Sequence, residues 1–282
     1  MVKVGVHVSI AGSIDRAVDR AEEIGCDTFQ IFSRNPRGWR FKEIPEEVAE
    51  EFRRKLKRSG IHPAVDHMPY LPNLASPKEE VYRKSVEALT VELERCDILG
   101  IPYLVTHLGS HLDSGKEEGF RRTAEAIIEA LSASENDVIL LLETTSDSKN
   151  SVGGSFEDLA EIMRRVDRDD RVGACFDTCH TFVAGYELRS EEGLKETMEK
   201  FEGTVGLERI KVVHLNDSKG PLGSKLDRHE HIGLGEIGEE GFRRILGHPA
   251  IRALPLILET PVDDRRNDRG NITKVRELAG ER

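Results

Sequence analysis

Nine side chains with ligand chemistry are distinguished by where they fall along the chain. His67, His107, Glu143, Asp177, His214 and Glu259 each close a short apolar run. His180 follows Asp177 by three residues, and Asp227 and His229 lie in a glycine-containing stretch after His214. A solitary histidine at the end of such a run is ordinarily a hydrogen-bonded core or rim residue, and a carboxylate there is ordinarily a helix cap. Six consecutive runs ending this way do not reduce to independent caps and rims. Carboxylates and imidazoles buried together are unfavourable unless compensated, and divalent cations supply that compensation. Nitrogen and oxygen donors without thiolate suit zinc, manganese or iron, with zinc favoured by the imidazoles. Nine ligands exceed what one four- or five-coordinate ion needs, so two or three ions fit better. Clustered metals lower the pKa of bound water and clamp the oxygens of an in-line displacement at phosphorus. No serine or cysteine nucleophile is then required.

The runs that would position these residues are Lys3–Val8, Thr28–Phe32, Pro63–His67, Tyr103–His107, Val138–Glu143, Val172–Asp177, Ile210–His214 and Pro255–Glu259. Several are nearly all apolar, as expected for parallel strands covered on both faces. The stretches between them carry helical punctuation. Ser76-Pro-Lys-Glu79 reads as a capping serine, a proline at the first helical position and a glutamate three residues past the cap. The helix that follows keeps Val81, Ser85, Leu89, Leu93 and Cys96 on one face and ends at Gly100. Pro45 likewise opens a helix over Glu46–Arg58 that stops at Gly60. Eight strand–helix alternations predict a single (β/α)8 TIM barrel, one domain over residues 1–282, with its metal cluster at the C-terminal mouth. An open doubly wound sheet is the alternative, and no Gly-rich phosphate loop follows the first strand.

The hydrophobic share of 38% and charged share of 33% describe a soluble globular chain. No apolar run approaches the roughly 20 residues of a membrane helix. Met1-Val-Lys-Val-Gly-Val-His7 reads as a strand and lacks the zones of a signal peptide, so the cytoplasm is the expected location and a membrane partner is not expected. Cys26, Cys96, Cys175 and Cys179 are expected to be reduced, buried thiols. The net charge of −11 argues against a generic nucleic-acid binder unless bound cations and local arginines reverse the field at one place. Gln30 is the only glutamine amid abundant Glu, Lys and Arg, a pattern associated with heat adaptation.

Two stretches carry a more specific signal. Gly173-Ala-Cys-Phe-Asp-Thr-Cys-His-Thr-Phe-Val-Ala-Gly-Tyr186 and the segment His214–Gly233, which includes Asp227-Arg-His-Glu-His231, resemble signatures of the endonuclease IV family of apurinic/apyrimidinic (AP) endonucleases. The resemblance extends essentially end to end. It implies three zinc ions, with manganese as a substitute. His67 and His107 would hold the first, Glu143 would bridge it to the second, Asp177, His214 and Glu259 would complete the second, and His180, Asp227 and His229 would hold the third. It also implies that a hydroxide between the first two ions, positioned by Glu143 and Glu259, attacks the phosphate 5′ to an abasic sugar in double-stranded DNA. Products would be a 3′-hydroxyl and a 5′-deoxyribose phosphate, and blocked 3′ ends would also be trimmed. Arg37 and Trp39 in Asn35-Pro-Arg-Gly-Trp39, with Tyr70 and Leu71 in His67-Met-Pro-Tyr-Leu71, match the family's duplex-wedging loops. Gly38 departs from the family, which often carries a longer polar side chain there. Three Zn²⁺ would add six positive charges at the mouth, and Arg34, Arg37, Arg40, Lys219, Lys225 and Arg228 are expected in loops on that face. A monomer is the expected state.

Two other readings compete. A sugar isomerase or epimerase on the same barrel would use Glu143, Asp177, His214 and Glu259 for one ion, with the glutamates shuttling a proton. It has no evident need for His67, His107, His180, Asp227 and His229. A lesion-binding protein without chemistry would have no reason to keep the full ligand set.

Overall fold

The computed structural model describes residues 1–281, and in it all eight apolar runs become strands of one parallel barrel. They are β1 (Lys3–Val6), β2 (Phe29–Ile31), β3 (Ala64–His67), β4 (Tyr103–Thr106), β5 (Ile139–Glu143), β6 (Val172–Asp177) and β7 (Ile210–His214), then, after the two-residue strands β8 (Asp217–Ser218) and β9 (His229–Glu230), β10 (Pro255–Leu258). Neighbours pair in parallel in the order β1-β10-β7-β6-β5-β4-β3-β2. The ring closes where His7 bridges Gln30 and the Val8 amide donates to the Gln30 carbonyl at 2.8 Å. A Cβ at Gly5 would run into the Thr28 carbonyl, so only glycine lets β1 approach its neighbour there.

The barrel is walled by helices between successive strands. These are α1 (Arg16–Ile24), α2 (Glu46–Ser59), α3 (Glu79–Leu99), α4 (Lys116–Ala133) and α5 (Phe156–Val166), followed by the short α6 (Thr178–Val183) with α7 (Glu191–Thr204), α8 (Gly238–Gly247) with α9 (Pro249–Arg252), and α10 (Asp268–Leu278). The glycine stops occur as predicted: Gly60 and Gly100 terminate α2 and α3 in the left-handed region, at φ of 72° and 69°. The predicted start of α3 is corrected. That helix begins at Glu79, and Ser76 does not cap it. The Ser76 hydroxyl instead accepts the Lys78 amide at 3.2 Å, closing a local turn before the helix begins.

Four predicted strands also run too far. β1, β2, β4 and β10 stop at Val6, Ile31, Thr106 and Leu258, so His107 and Glu259 stand just beyond the paired backbone, while His7 keeps a single bridge to Gln30. Past β10 the Glu259 amide donates to the Asn216 side-chain oxygen at 2.8 Å. All four cysteines are free and buried. Among the described residues no helix is long and apolar enough to cross a membrane.

Two cores result. The larger fills the space between strands and helices, with Phe29, Phe52, Phe156, Phe176, Phe201 and Phe242 fully buried. The smaller lies inside the barrel and consists of Val65, Val105, Leu141, Cys175, Val212 and Ile257. Truncating any of its larger aliphatic members would leave a cavity costing roughly 2–5 kcal/mol. It forms the floor on which the mouth is built.

Candidate metal centre at the barrel mouth

Side chains alternate across a strand, so residues two apart point the same way. Each member of the inner core sits two residues before a predicted ligand: Val65 before His67, Val105 before His107, Leu141 before Glu143, Cys175 before Asp177, Val212 before His214 and Ile257 before Glu259. The six ligand-type residues therefore stand one step nearer the mouth than an apolar plug. His180 comes from α6, whose start is capped by Asp177: its Oδ1 accepts the His180 amide at 2.6 Å. Asp177 is thus both a helix cap and a mouth residue. Asp227 and His229 return over the opening because β8 and β9 pair antiparallel, and buried Asp217 pins the following loop by accepting the amides of Gly233, Gly235 and Ile237.

All nine predicted residues fall into three groups, each with ligand atoms within 4.8 Å of one another. In the first, Glu143 Oε2 lies 3.2 Å from His67 Nε2 and 2.9 Å from His107 Nε2. In the second, His214 Nδ1 lies 3.1 Å from Glu143 Oε1, 3.3 Å from Glu259 Oε2 and 3.9 Å from Asp177 Oδ2. In the third, Asp227 Oδ1 lies 3.1 Å from His180 Nε2 and 3.6 Å from His229 Nε2. Glu143 is common to the first two groups. Asp177, in the second, lies 3.9 Å from His229 of the third. Cys179 is near Asp177 and His229, but burial pushes its thiol up to about 12, so it remains protonated and its sulfur turns toward the Arg228 carbonyl.

Backbone carbonyls fix which imidazole nitrogen faces the centre. A carbonyl only accepts, so Nδ1 of His67, His180 and His229 carries the proton toward Met68, Thr144 and Glu259 at 2.7, 2.9 and 3.2 Å. Their Nε2 lone pairs are left for the centre. His214 is reversed: its Nε2 pairs with Gln30 Oε1 at 2.9 Å and its Nδ1 faces the carboxylates. Such partners orient a ligand and raise its basicity.

The donor set fits divalent cations. Glu143 and Asp177 are fully buried, and among the described residues no lysine or arginine nitrogen lies within 4.0 Å of the carboxylates of Glu143, Asp177, Asp227 or Glu259; the only basic side chains beside them are histidines. The His229 Nε2 is buried with no hydrogen-bond partner at all. With no lysine or arginine there, protonated imidazoles are the groups that can supply positive charge. Burial opposes ionisation of His180, yet Asp177, Asp227 and Glu143 outweigh it and hold the imidazole well above its ordinary value. Burial likewise opposes ionisation of Glu143, but His107 and His214 hold that carboxyl well below the usual range. A pocket that polarises its own groups this strongly is suited to cations.

Around the centre lies a cavity of about 420 Å³, whose lining includes Tyr70, Leu71, His107, Thr145, His180 and Asp227. Tyr70 and Leu71 are 65% and 40% exposed, and Tyr70 is braced edge-on by Phe32 at 5.0 Å. Arg37 is exposed at the tip of its loop, where its amide is held by Asn35 Oδ1 at 3.0 Å. Trp39 is half-buried, packs on the larger core and lies 6.0 Å beneath Lys84. At Gly38 an added Cβ would meet only Asn35 Nδ2, at 3.9 Å, so the local fold does not demand glycine. Of the six predicted mouth cations, Arg37, Arg40, Lys219, Lys225 and Arg228 are exposed. Arg34 is a correction: it is 5% exposed and its Nε is bonded to Glu92. A guanidinium already neutralised in the interior is not available to a phosphate.

Sequence reasoning missed three residues that hold the ligands. Gln30 Nε2 donates to Glu259 Oε1 at 2.8 Å while its oxygen serves His214. Asn216 Nδ2 donates to Asp177 Oδ2 at 2.8 Å. His7 lies 3.1 Å from Gln30 Nε2, and its imidazole is lowered by burial against the pull of Glu259. A weak signal was present for two of them: His7 lies one residue before the end of the first run and Gln30 two before the end of the second, near the position that carries a ligand-type residue in the other six.

A family model described as xylose isomerase-like TIM barrel matches residues 18–279. The probable endonuclease 4 of Methanoculleus marisnigri is 62% identical over 281 residues, covering 99% of this chain and 100% of the relative. The solved endonuclease IV of Thermus thermophilus superimposes with a TM-score of 0.88 at 37% identity, covering 99% of each chain. A D-tagatose 3-epimerase-like protein reaches a TM-score of 0.74 at 21% identity, over 99% of this chain and 98% of its own, which shows likeness of fold alone.

Proposed function

The chain belongs to the endonuclease IV family of xylose isomerase-like TIM barrels, and from that membership we propose that it is a DNA-repair enzyme, a zinc-dependent phosphodiesterase cutting double-stranded DNA 5′ to AP sites. The products would be a 3′-hydroxyl and a 5′-deoxyribose phosphate, and the same site would trim blocked 3′ ends. The observation that carries the reading is the sharing of Glu143 between two ligand groups, with a third group against Asp177. In this reading His67, His107 and Glu143 hold one zinc ion, Glu143, Asp177, His214 and Glu259 a second, and His180, Asp227 and His229 a third. Manganese is expected to substitute. Bound there, the ions supply Lewis acidity toward phosphoryl oxygens and bring water near a neutral pKa.

The chain's own residues do the rest. Glu143 and Glu259 flank the attacking water and orient it, and Gln30 and Asn216 keep the Glu259 and Asp177 carboxylates from turning away. Arg37 meets a backbone phosphate, and Trp39 anchors the loop that presents it. Tyr70 and Leu71 enter the duplex beside the lesion. Unstacking a base step costs a few kcal/mol, and a site without a base lowers that cost. The protein would act as a monomer in the cytoplasm, a reducing compartment consistent with four free thiols.

The test is a labelled duplex with one abasic site. Zinc-loaded protein should make a single cut 5′ to the lesion, leaving an end that a polymerase extends, and chelation should silence it. Intact duplex after incubation with folded, zinc-loaded protein would overturn the reading. The sugar-isomerase alternative needs only Glu143, Asp177, His214 and Glu259. It predicts about one metal per chain by elemental analysis, against about three here.

A further inference from the structure

A buried charge network lies beneath the loop from Ser33 to Lys42, outside the ligand set. Glu92 of α3 is fully buried and accepts from both Arg34 Nε and the Ser33 hydroxyl. Arg34 Nη1 continues to the Trp39 carbonyl at 3.0 Å. Arg95, 7% exposed, donates to Ser33 Oγ at 2.8 Å, to the Ser33 carbonyl and to the Lys42 carbonyl at 2.9 Å. Both ends and the middle of the loop are therefore tied to α3. The Tyr70 amide in turn donates to the Pro36 carbonyl at 3.1 Å, so the second exposed loop hangs from the first.

Burying two guanidiniums with a carboxylate is a poor way to stabilise a fold, since apolar residues of similar volume commonly do as well or better. What apolar residues cannot do is hold three loop carbonyls at fixed positions. We propose that Glu92, Arg34 and Arg95 are positioning residues that prebuild the Arg37 loop, and through Pro36 the Tyr70 loop, so that the protein meets DNA with its wedge already formed. The proposal rests on the DNA-cleaving reading. Ordering a loop before contact removes that entropy from the binding step, so the network acts on affinity for the duplex. Asp66 accepts the amides of Ser33 and His67 at 2.9 Å each, which makes an effect on the metal centre the rival outcome.

The experiment uses full-length, zinc-loaded Glu92→Gln and Arg95→Lys. The second keeps a cation opposite Glu92 but cannot reach both carbonyls, and it carries the test if the first does not fold. Expected are a KM for abasic duplex raised at least fivefold, a kcat within twofold of wild type and unchanged zinc content. Trp39 is the only tryptophan, so acrylamide quenching reports this loop directly and should at least double in efficiency. Unchanged KM and quenching in a folded variant would overturn the proposal, and so would a joint fall in kcat and zinc content. Wild-type protein that leaves abasic duplex uncut would sink the nuclease reading alone, and Trp39 quenching would still decide whether the network orders the loop.

Discussion

Gln30→Met removes one side chain's hydrogen bonds while nearly conserving its volume, and it isolates what holds two ligands in place. Gln30 is fully buried on β2 and is bonded to His214 at 2.9 Å and to Glu259 at 2.8 Å. Without its oxygen, the buried His214 Nε2 loses its acceptor, which costs about 1–3 kcal/mol. Glu259 loses a charge-assisted bond, but its side chain is 20% exposed and water recovers part of the loss. Removing a partner that orients a ligand typically lowers metal affinity about 10–100-fold, equivalent to roughly 1.4–2.7 kcal/mol. The assay is zinc titration against a competing chelator, run beside cleavage of abasic duplex at limiting and at excess zinc. One equivalent should weaken by that factor, and activity lost at limiting zinc should return at excess. Wild-type affinity for every equivalent would refute the claim that Gln30 orients His214 and Glu259.

Other outcomes follow from the same geometry. Glu143→Gln should keep the fold yet lose at least about a thousandfold in cleavage, because it neutralises the carboxylate shared by two ligand groups; turnover near wild type would count against the sharing. Chelated protein should have a distinct pH profile. The raised imidazoles of His180 and His214 contribute stability that is full below their ordinary 6.5 and lost as pH rises through their folded values. The depressed Glu143 contributes stability present above its ordinary 4.5 and lost as pH falls through its folded value. The Tm of chelated protein should therefore peak between those limits and fall above pH 6.5, and the gain on adding zinc should widen with pH because ligation needs neutral imidazoles. A flat Tm from pH 6 to 9 would contradict this. Tyr70→Ala should weaken preference for abasic over intact duplex and leave zinc content unchanged, which a competition assay with elemental analysis checks. Gly109, at φ 91° with a would-be Cβ against Asn73, should lose roughly 2–4 kcal/mol as Gly109→Ala. Gly38→Ala, with open space, should be neutral or gain up to about 1 kcal/mol in urea melts.

How much of this was legible in the sequence depends on the range over which each feature is encoded. Eight apolar runs and the glycine stops at Gly60 and Gly100 are local patterns, and they specify strands, helices and a barrel. Once the barrel is inferred, a ligand-type residue at the end of each of six runs implies convergence, because parallel strands point their carboxyl ends the same way. His67, His107, Glu143, Asp177, His214 and Glu259 were readable for that reason. The third group came from its signature segment, and the pairing of β8 with β9 explains how Asp227 and His229 reach the opening.

What escaped is non-local or depends on burial. Gln30 was noticed only as the sole glutamine, yet its partners lie 184 and 229 residues away. Arg34 resembled a free mouth cation because nothing nearby in sequence announces Glu92, 58 residues on. Ser76 fitted a capping pattern, but its hydroxyl closed a turn with Lys78 first. A residue's type and period fix the strand it joins and the face it takes. Which groups then share a buried hydrogen bond is decided only when distant segments are brought within about 3 Å, where desolvation leaves each donor a single partner.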